Sequence, residues 1–263
     1  IVFGDWSSDV CSSDLYFDYD VGWGGFWAEQ PAWEFDMLSA ALTPDGSLHD
    51  HNNETTTFLL RRLMRNSGFR ARFINRFADL LNTLLATPHT LARIDQMAGV
   101  LNREMPEHIA RWRYPDSFLT WRRNVDYLRD YARRRPDACR EQLLRRFGLR
   151  GMARLTLEVT PRGAGQVRLN SIVPPMADGS WSGSYFTGHP IELEARPQPG
   201  YRFAGWEGLP GVSARAVTLE LAADWSVSAR FEVDAATQPR LAVVRSGVDE
   251  IRLEASGPVE GVG

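Results

Sequence analysis

No lysine occurs anywhere in the 263 residues, so all 30 basic side chains are arginine. The chain therefore offers no phosphate-binding lysine, and the Gly-Ala-Gly at Gly163–Gly165 reads as a tight turn because no βαβ pattern accompanies it either. Cysteine is nearly as scarce: Cys11 and Cys139 stand far apart, which excludes a disulfide framework and a four-ligand zinc site built from thiolates. No apolar run approaches the roughly 20 residues of a membrane-spanning helix, and the first residues lack the basic, apolar and small-residue order of a signal peptide. An excess of one charge is missing too. The 33 acids against 30 arginines leave a formal charge of −3, which argues against bulk binding of a polyanion.

What is present falls into regions of different period. Hydrophobic residues make up 43% of the chain, enough to furnish ordinary buried cores. From Thr55 to about Arg150 they recur every three or four positions. Phe69, Phe73, Ile74, Phe77, Leu80, Leu81 and Leu84 share one face, and Phe118, Trp121, Val125 and Leu128 share another with arginines between them. About five amphipathic helices are expected, with Pro106 kinking or splitting the third. Breaks are expected at Asn66-Ser67-Gly68, Thr87-Pro88, Tyr114-Pro115-Asp116 and Arg135-Pro136-Asp137.

After Gly151 the period drops to two. Leu155, Leu157 and Val159 alternate with polar neighbours, and QVRLNS, IELEARP, AVTLELA and SVSARFEV repeat the pattern between Gly- and Pro-rich turns. Residues 152–233 are expected to form a small all-β domain. Residues 234–263 restart the alternation in RLAVVRS and EIRLEASG, as the first strands of a further β domain. The expected class is α+β and multidomain.

The sharpest candidate for chemistry is YFDYDVGWGG. In an extended strand Asp18 and Asp20 project to one face, just before a glycine turn, and two such carboxylates suit Mg²⁺, which takes a few hard oxygens and leaves the rest to water and phosphate. A solvated acidic edge strand is the competing reading. The other candidates read more simply as structure. His49 to Glu54, HDHNNE, reads as a polar helix-capping loop, since a metal there needs a third ligand from elsewhere. Cys139 sits beside Arg140 near the start of a short helix, yet no His or Asn signature pairs with it, so a buried or idle thiol is expected. The helical arginines, including Arg133 to Arg135, could meet phosphate but read first as a solvated face. Trp181, Tyr185, Phe186, Tyr201, Phe203, Trp206 and Trp225 are dense enough for a carbohydrate or partner surface, although core packing explains them more economically.

Taken in order, the acidic strand at YFDYDVGWGG, FLLRRLMRNSGFRARFINRFADLLNTLL, LNREMPEHIARWR and WRRNVDYLRDYARRRPDACREQLLRRFGL resemble the C-terminal part of the CotH (spore coat protein H) kinase family across about residues 16–150. The resemblance implies an atypical protein-kinase-like fold that uses ATP and Mg²⁺ to phosphorylate protein hydroxyls. By that likeness Asp18 is similar to the metal-binding aspartate of a kinase D-F-G, with Asp20 an auxiliary ligand. The phosphate-binding cation and catalytic aspartate are expected upstream of these residues, so the fragment alone is expected to be inactive.

The segment GAGQVRLNS through SVSARFEV, above all IELEARPQPGYRFAGWEG, resembles bacterial surface repeat modules related to the internalin B-repeat. Gly200, Tyr201, Phe203, Gly205 and Trp206 fit that pattern. The pairing implies an exported or cell-surface parent whose partner is a protein substrate or another surface molecule, not nucleic acid. The alternative is a non-catalytic adhesion or glycan-binding protein on a degenerate kinase-like scaffold. Finally, GDWSSDVCSSDL (Gly4 to Leu15) back-translates onto one frame of a standard short-read sequencing adapter. Residues 1–15 are thus expected to be foreign, with genuine protein beginning at about Tyr16 and Cys139 its sole cysteine. Removing Asp5, Asp9 and Asp14 leaves the acids and arginines equal in number.

Overall fold

The computed structural model describes residues 31–44, 54–55, 57–176, 178–235, 240–245 and 251–256. It divides into two units, Ile1–Leu149 and Arg150–Gly263. In the first, a 3₁₀ turn at Ala32–Glu34 precedes α1 (Met37–Leu42), α2 (Phe58–Leu63), α3 (Ser67–Asn82), α4 (Thr87–Leu101), α5 (Met105–Trp112) and α6 (Phe118–Phe147). Local chemistry sets several of the boundaries. Asp36, Asn66 and Ser117 each turn a side-chain oxygen onto the backbone N–H three residues on, at 2.9, 2.9 and 3.1 Å, capping α1, α3 and α6. Pro106 lies in the first turn of α5, where a missing N–H costs nothing, so it divides two helices instead of bending one.

Two expectations for the helical region need correction. Leu84 does not extend the apolar face of α3, because the helix ends at Asn82 and Leu84 is left 58% exposed. Nor does Arg135-Pro136-Asp137 break a helix: α6 runs 30 residues straight through Pro136. Proline cannot donate the bond that the Ala132 carbonyl, four residues earlier, would normally receive. The Thr87 hydroxyl at the start of α4 donates to that carbonyl instead, at 3.1 Å. A substitute donor from a neighbouring helix thus supports a proline that sequence rules read as a stop.

Packing follows from this long helix. Ile94 and Ala98 of α4 and Val125 and Ala132 of α6 form a buried cluster flanked by Leu91, Trp121 and Leu128. Further along, α6 donates to carbonyls of several other segments. Arg135 bonds the Trp33 and Phe35 carbonyls at 2.8 and 2.7 Å, Gln142 that of Glu34 at 3.0 Å, Arg140 that of Leu81 at 3.2 Å, and Arg146 that of Leu42 at 3.2 Å. These acceptors sit at or near the ends of helical elements, where the last carbonyls lack helical partners. The arginines of α6 therefore act partly as external helix caps.

The second unit holds two sheets and a separate hairpin. β1 (Met152–Thr160) lies between β3 (Ser180–Phe186), antiparallel, and β7 (Trp225–Val233), parallel, with β5 (Tyr201–Glu207) antiparallel at the far side of β7. The other sheet orders β2 (Gly165–Leu169), β4 (Pro190–Pro197) and β6 (Ala216–Glu220), all antiparallel. β8 (Arg240–Arg245) and β9 (Ile251–Ser256) pair as an antiparallel hairpin, the two alternating segments expected there. Alternation settles which residues enter the core. Leu155 and Leu157, Val167 and Leu169, Ile191 and Leu193, and Val227 and Ala229 are all buried. Strand periodicity did not single out β3 or β5. β3 is rich in Ser and Gly, and β5 shifts register between Phe203 and Gly205, a bulge that interrupts the period-two pattern.

Candidate functional site

Asp18 and Asp20, the expected metal ligands, lie outside the described residues, as do His49 to Asn53 and Cys11. Among the described residues, no group of three or more His, Cys, Asp and Glu side chains is placed to hold a metal ion.

Cys139 is described, and its setting differs from expectation. It lies deep within α6, because the helix runs on through Pro136, and only 8% of it is exposed. Burial raises its pKa, and Arg135 and Arg140 oppose that only in part. The thiol is a packing group, as expected.

The triplet Arg133 to Arg135 divides by direction. Arg133 pairs with Asp130 at 2.8 Å on the exposed side, Arg134 lies over the Trp33 ring at 4.9 Å, and Arg135 is committed to the carbonyls of Trp33 and Phe35. The solvated-face reading holds for Arg133 and for Arg134, which stays exposed beside Trp33, while Arg135 turns inward to the carbonyls. On α4 and α6, Arg129 joins Asp95 and Asp126, both at 2.7 Å, and these carboxylates raise its pKa.

A second arginine group has the opposite character. α2, the start of α3 and the end of α6 border an open cleft of about 380 Å³ lined by Arg61, Arg65, Arg70 and Arg146, with Leu42, Met64 and Phe147 among its apolar walls. Three of these guanidinium groups are held by neutral backbone oxygens. Arg61 bonds the Glu54 carbonyl, with its Nε on the Thr57 hydroxyl at 3.1 Å; Arg70 bonds the Met64 carbonyl at 3.3 Å and Arg146 that of Leu42 at 3.2 Å. Among the described residues no carboxylate lines the cleft. Sequence reading by apolar period passed over this group, although a signal exists: six arginines and no acid fall between Glu54 and Asp79.

In the β unit the aromatics divide by depth. Tyr185, Phe186 and Trp206 are core residues. Trp206 donates its indole N–H to the Ala214 carbonyl at 2.9 Å, and Phe203 meets Trp206 and Phe231 edge-on at 5.3 and 6.1 Å. Trp181, Tyr201, Phe203 and Trp225 are half-buried, and Trp225 is tied to the Gly208 carbonyl at 3.0 Å. Packing therefore accounts for most of the aromatic density that suggested a glycan surface. On the other sheet Arg168 and Arg196 bond Glu194 at 2.8 and 2.9 Å, and these bonds hold its carboxyl below the usual range.

Comparison with known families accords with this division. Residues 14–139 match the family described as CotH kinase protein. That match covers just under half of the chain, so this segment is similar to the CotH family. Residues 155–235 match the divergent InlB B-repeat domain, so the CotH segment is followed by a B-repeat module in the order the two resemblances give. The CotH match spans α1 to α5, most of α6 and, outside the described residues, Asp18 and Asp20; the B-repeat match spans most of β1 through β7. No curated protein matches the chain. Among solved structures, a DUF3823 family protein from Parabacteroides merdae is 18% identical, with a TM-score of 0.21; the match covers 36% of this chain and 53% of that one.

Proposed function

We propose that this chain is part of a CotH-type atypical protein kinase, exported or displayed at the bacterial surface, which transfers a phosphoryl group from ATP to protein hydroxyls. The observation that carries the reading is the CotH match over residues 14–139, which includes both aspartates of the FDYDVG segment. In this proposal Asp18 holds Mg²⁺ and Asp20 assists as an auxiliary ligand or by orienting it. Bound there, Mg²⁺ would supply positive charge against the charge that builds during phosphoryl transfer. The cation that grips the α- and β-phosphates must be an arginine or lie outside these residues, because the 263 residues contain no lysine.

Surface display is the location that best suits the companion B-repeat module. Among the described residues no helix is long and apolar enough to cross a membrane. The test is incorporation of labelled phosphate from ATP into a protein acceptor by the full parent protein. Asp18→Ala is expected to abolish it, and an unchanged rate would remove Asp18 from the mechanism. Turnover requires a phosphate grip and a catalytic aspartate that hold nucleotide and hydroxyl in line with the metal ligands.

A further inference from the structure

The arginine cleft has no role in the reading above. Arg61, Arg65, Arg70 and Arg146 come from three different helical segments and converge on one space of about 380 Å³. That volume falls in the range of about 300–1,000 Å³ typical of ligand pockets. Four positive charges brought together repel one another, and elsewhere in this unit the chain relieves such charge with carboxylates, as at Arg129, Arg133 and Arg140. Here it does not. Arg61, Arg70 and Arg146 are oriented by carbonyl oxygens, which fix direction without cancelling charge, and each guanidinium has five N–H donors, so some remain for a ligand. Arg65 forms no ion pair among the described residues. The overall charge of −3 shows that the concentration is local.

We propose that this cleft binds a phosphate monoester carried on a polypeptide side chain. Guanidinium forks match phosphate oxygens in pairs, and a dianionic monoester supplies the charge and the acceptors that the four arginines lack. Nucleotide triphosphates normally arrive with Mg²⁺, and among the described residues that line the cleft there is no carboxylate to hold that ion. The apolar wall at Met64 and Phe147 suits the backbone and neighbouring side chains of a peptide better than a free inorganic ion. Such a site would retain a phosphorylated product or a primed substrate. It requires no turnover by this chain, so its test is separate from the kinase reading.

Fluorescence anisotropy of a labelled short peptide bearing one phosphoserine, titrated with the 263-residue chain, reads the binding directly. The phosphopeptide is expected to bind at least about tenfold more tightly than its unphosphorylated and glutamate-substituted versions, and to weaken as salt rises. Arg65→Gln is expected to weaken it about tenfold with the melting temperature unchanged, and Arg65→Gln with Arg70→Gln further still. Failure to bind, equal binding of the glutamate peptide, or undiminished binding by both variants would overturn the proposal. Displacement of the phosphopeptide by MgATP at lower concentrations than by inorganic phosphate would reassign the cleft to nucleotide and overturn it as well.

Discussion

Replacing Thr87 by valine keeps the shape of the side chain and removes only the hydroxyl that donates to the Ala132 carbonyl at 3.1 Å. That carbonyl belongs to a residue 3% exposed, in the middle of a 30-residue helix, and Pro136 cannot supply the helical donor. Leaving a buried carbonyl unsatisfied costs about 1–3 kcal/mol, and the partly exposed hydroxyl places the loss near the lower end, about 1–2 kcal/mol. For a unit of this size that corresponds to a fall of roughly 3–8 °C in melting temperature, followed by far-ultraviolet circular dichroism. The decisive comparison uses the Pro136→Ala background, where residue 136 regains its N–H. There Thr87→Val is expected to cost less than about 0.5 kcal/mol, so the two substitutions should couple by about 1 kcal/mol. If Thr87→Val were equally costly with Pro or Ala at position 136, the hydroxyl would not be standing in for the missing N–H. The account of why α6 survives its proline would then be wrong.

Two further outcomes follow from the same kind of geometry. A methyl group added at Gly165 would lie 2.3 Å from the Phe231 ring, which is itself buried, so Gly165→Ala is expected to destabilise the β unit by about 1–3 kcal/mol in denaturant melts, and Phe231→Leu to relieve part of that loss; an unperturbed Gly165→Ala protein would refute the close approach. The Cys139 thiol, whose pKa burial raises, is expected in a Cys11→Ser background to react with a disulfide reagent far more slowly than after unfolding. Because its folded pKa lies above the unfolded one, it adds stability that is complete below about pH 8.5 and is lost as pH rises through the folded pKa, and a melting temperature unchanged between neutral and strongly alkaline pH in Cys139 and Cys139→Ala proteins alike would contradict this.

Much of this protein follows from residue order alone. The shift from a three-to-four period to a period of two fixes helices before Arg150 and strands after it, because apolar side chains must reach one face whatever the rest of the chain does. Capping side chains such as Asn66 and Ser117 act within three residues of themselves, so their boundaries are equally local. The block order that resembles CotH followed by a B-repeat is also a property of sequence, as the family matches bear out. Tertiary structure decided the places where one segment meets the needs of another. Pro136 lies inside a helix because Thr87, 45 residues away in sequence, supplies a donor to Ala132. Arg135 and Arg146 serve carbonyls about a hundred residues distant, while Arg61, Arg65 and Arg70, on the same kind of amphipathic helix, face a shared cleft. Nothing in the local pattern separates an arginine that caps a distant turn from one that pairs with Asp130 or one that faces the cleft. That difference depends on which acceptors the fold brings within about 3 Å, a distance that only packing sets.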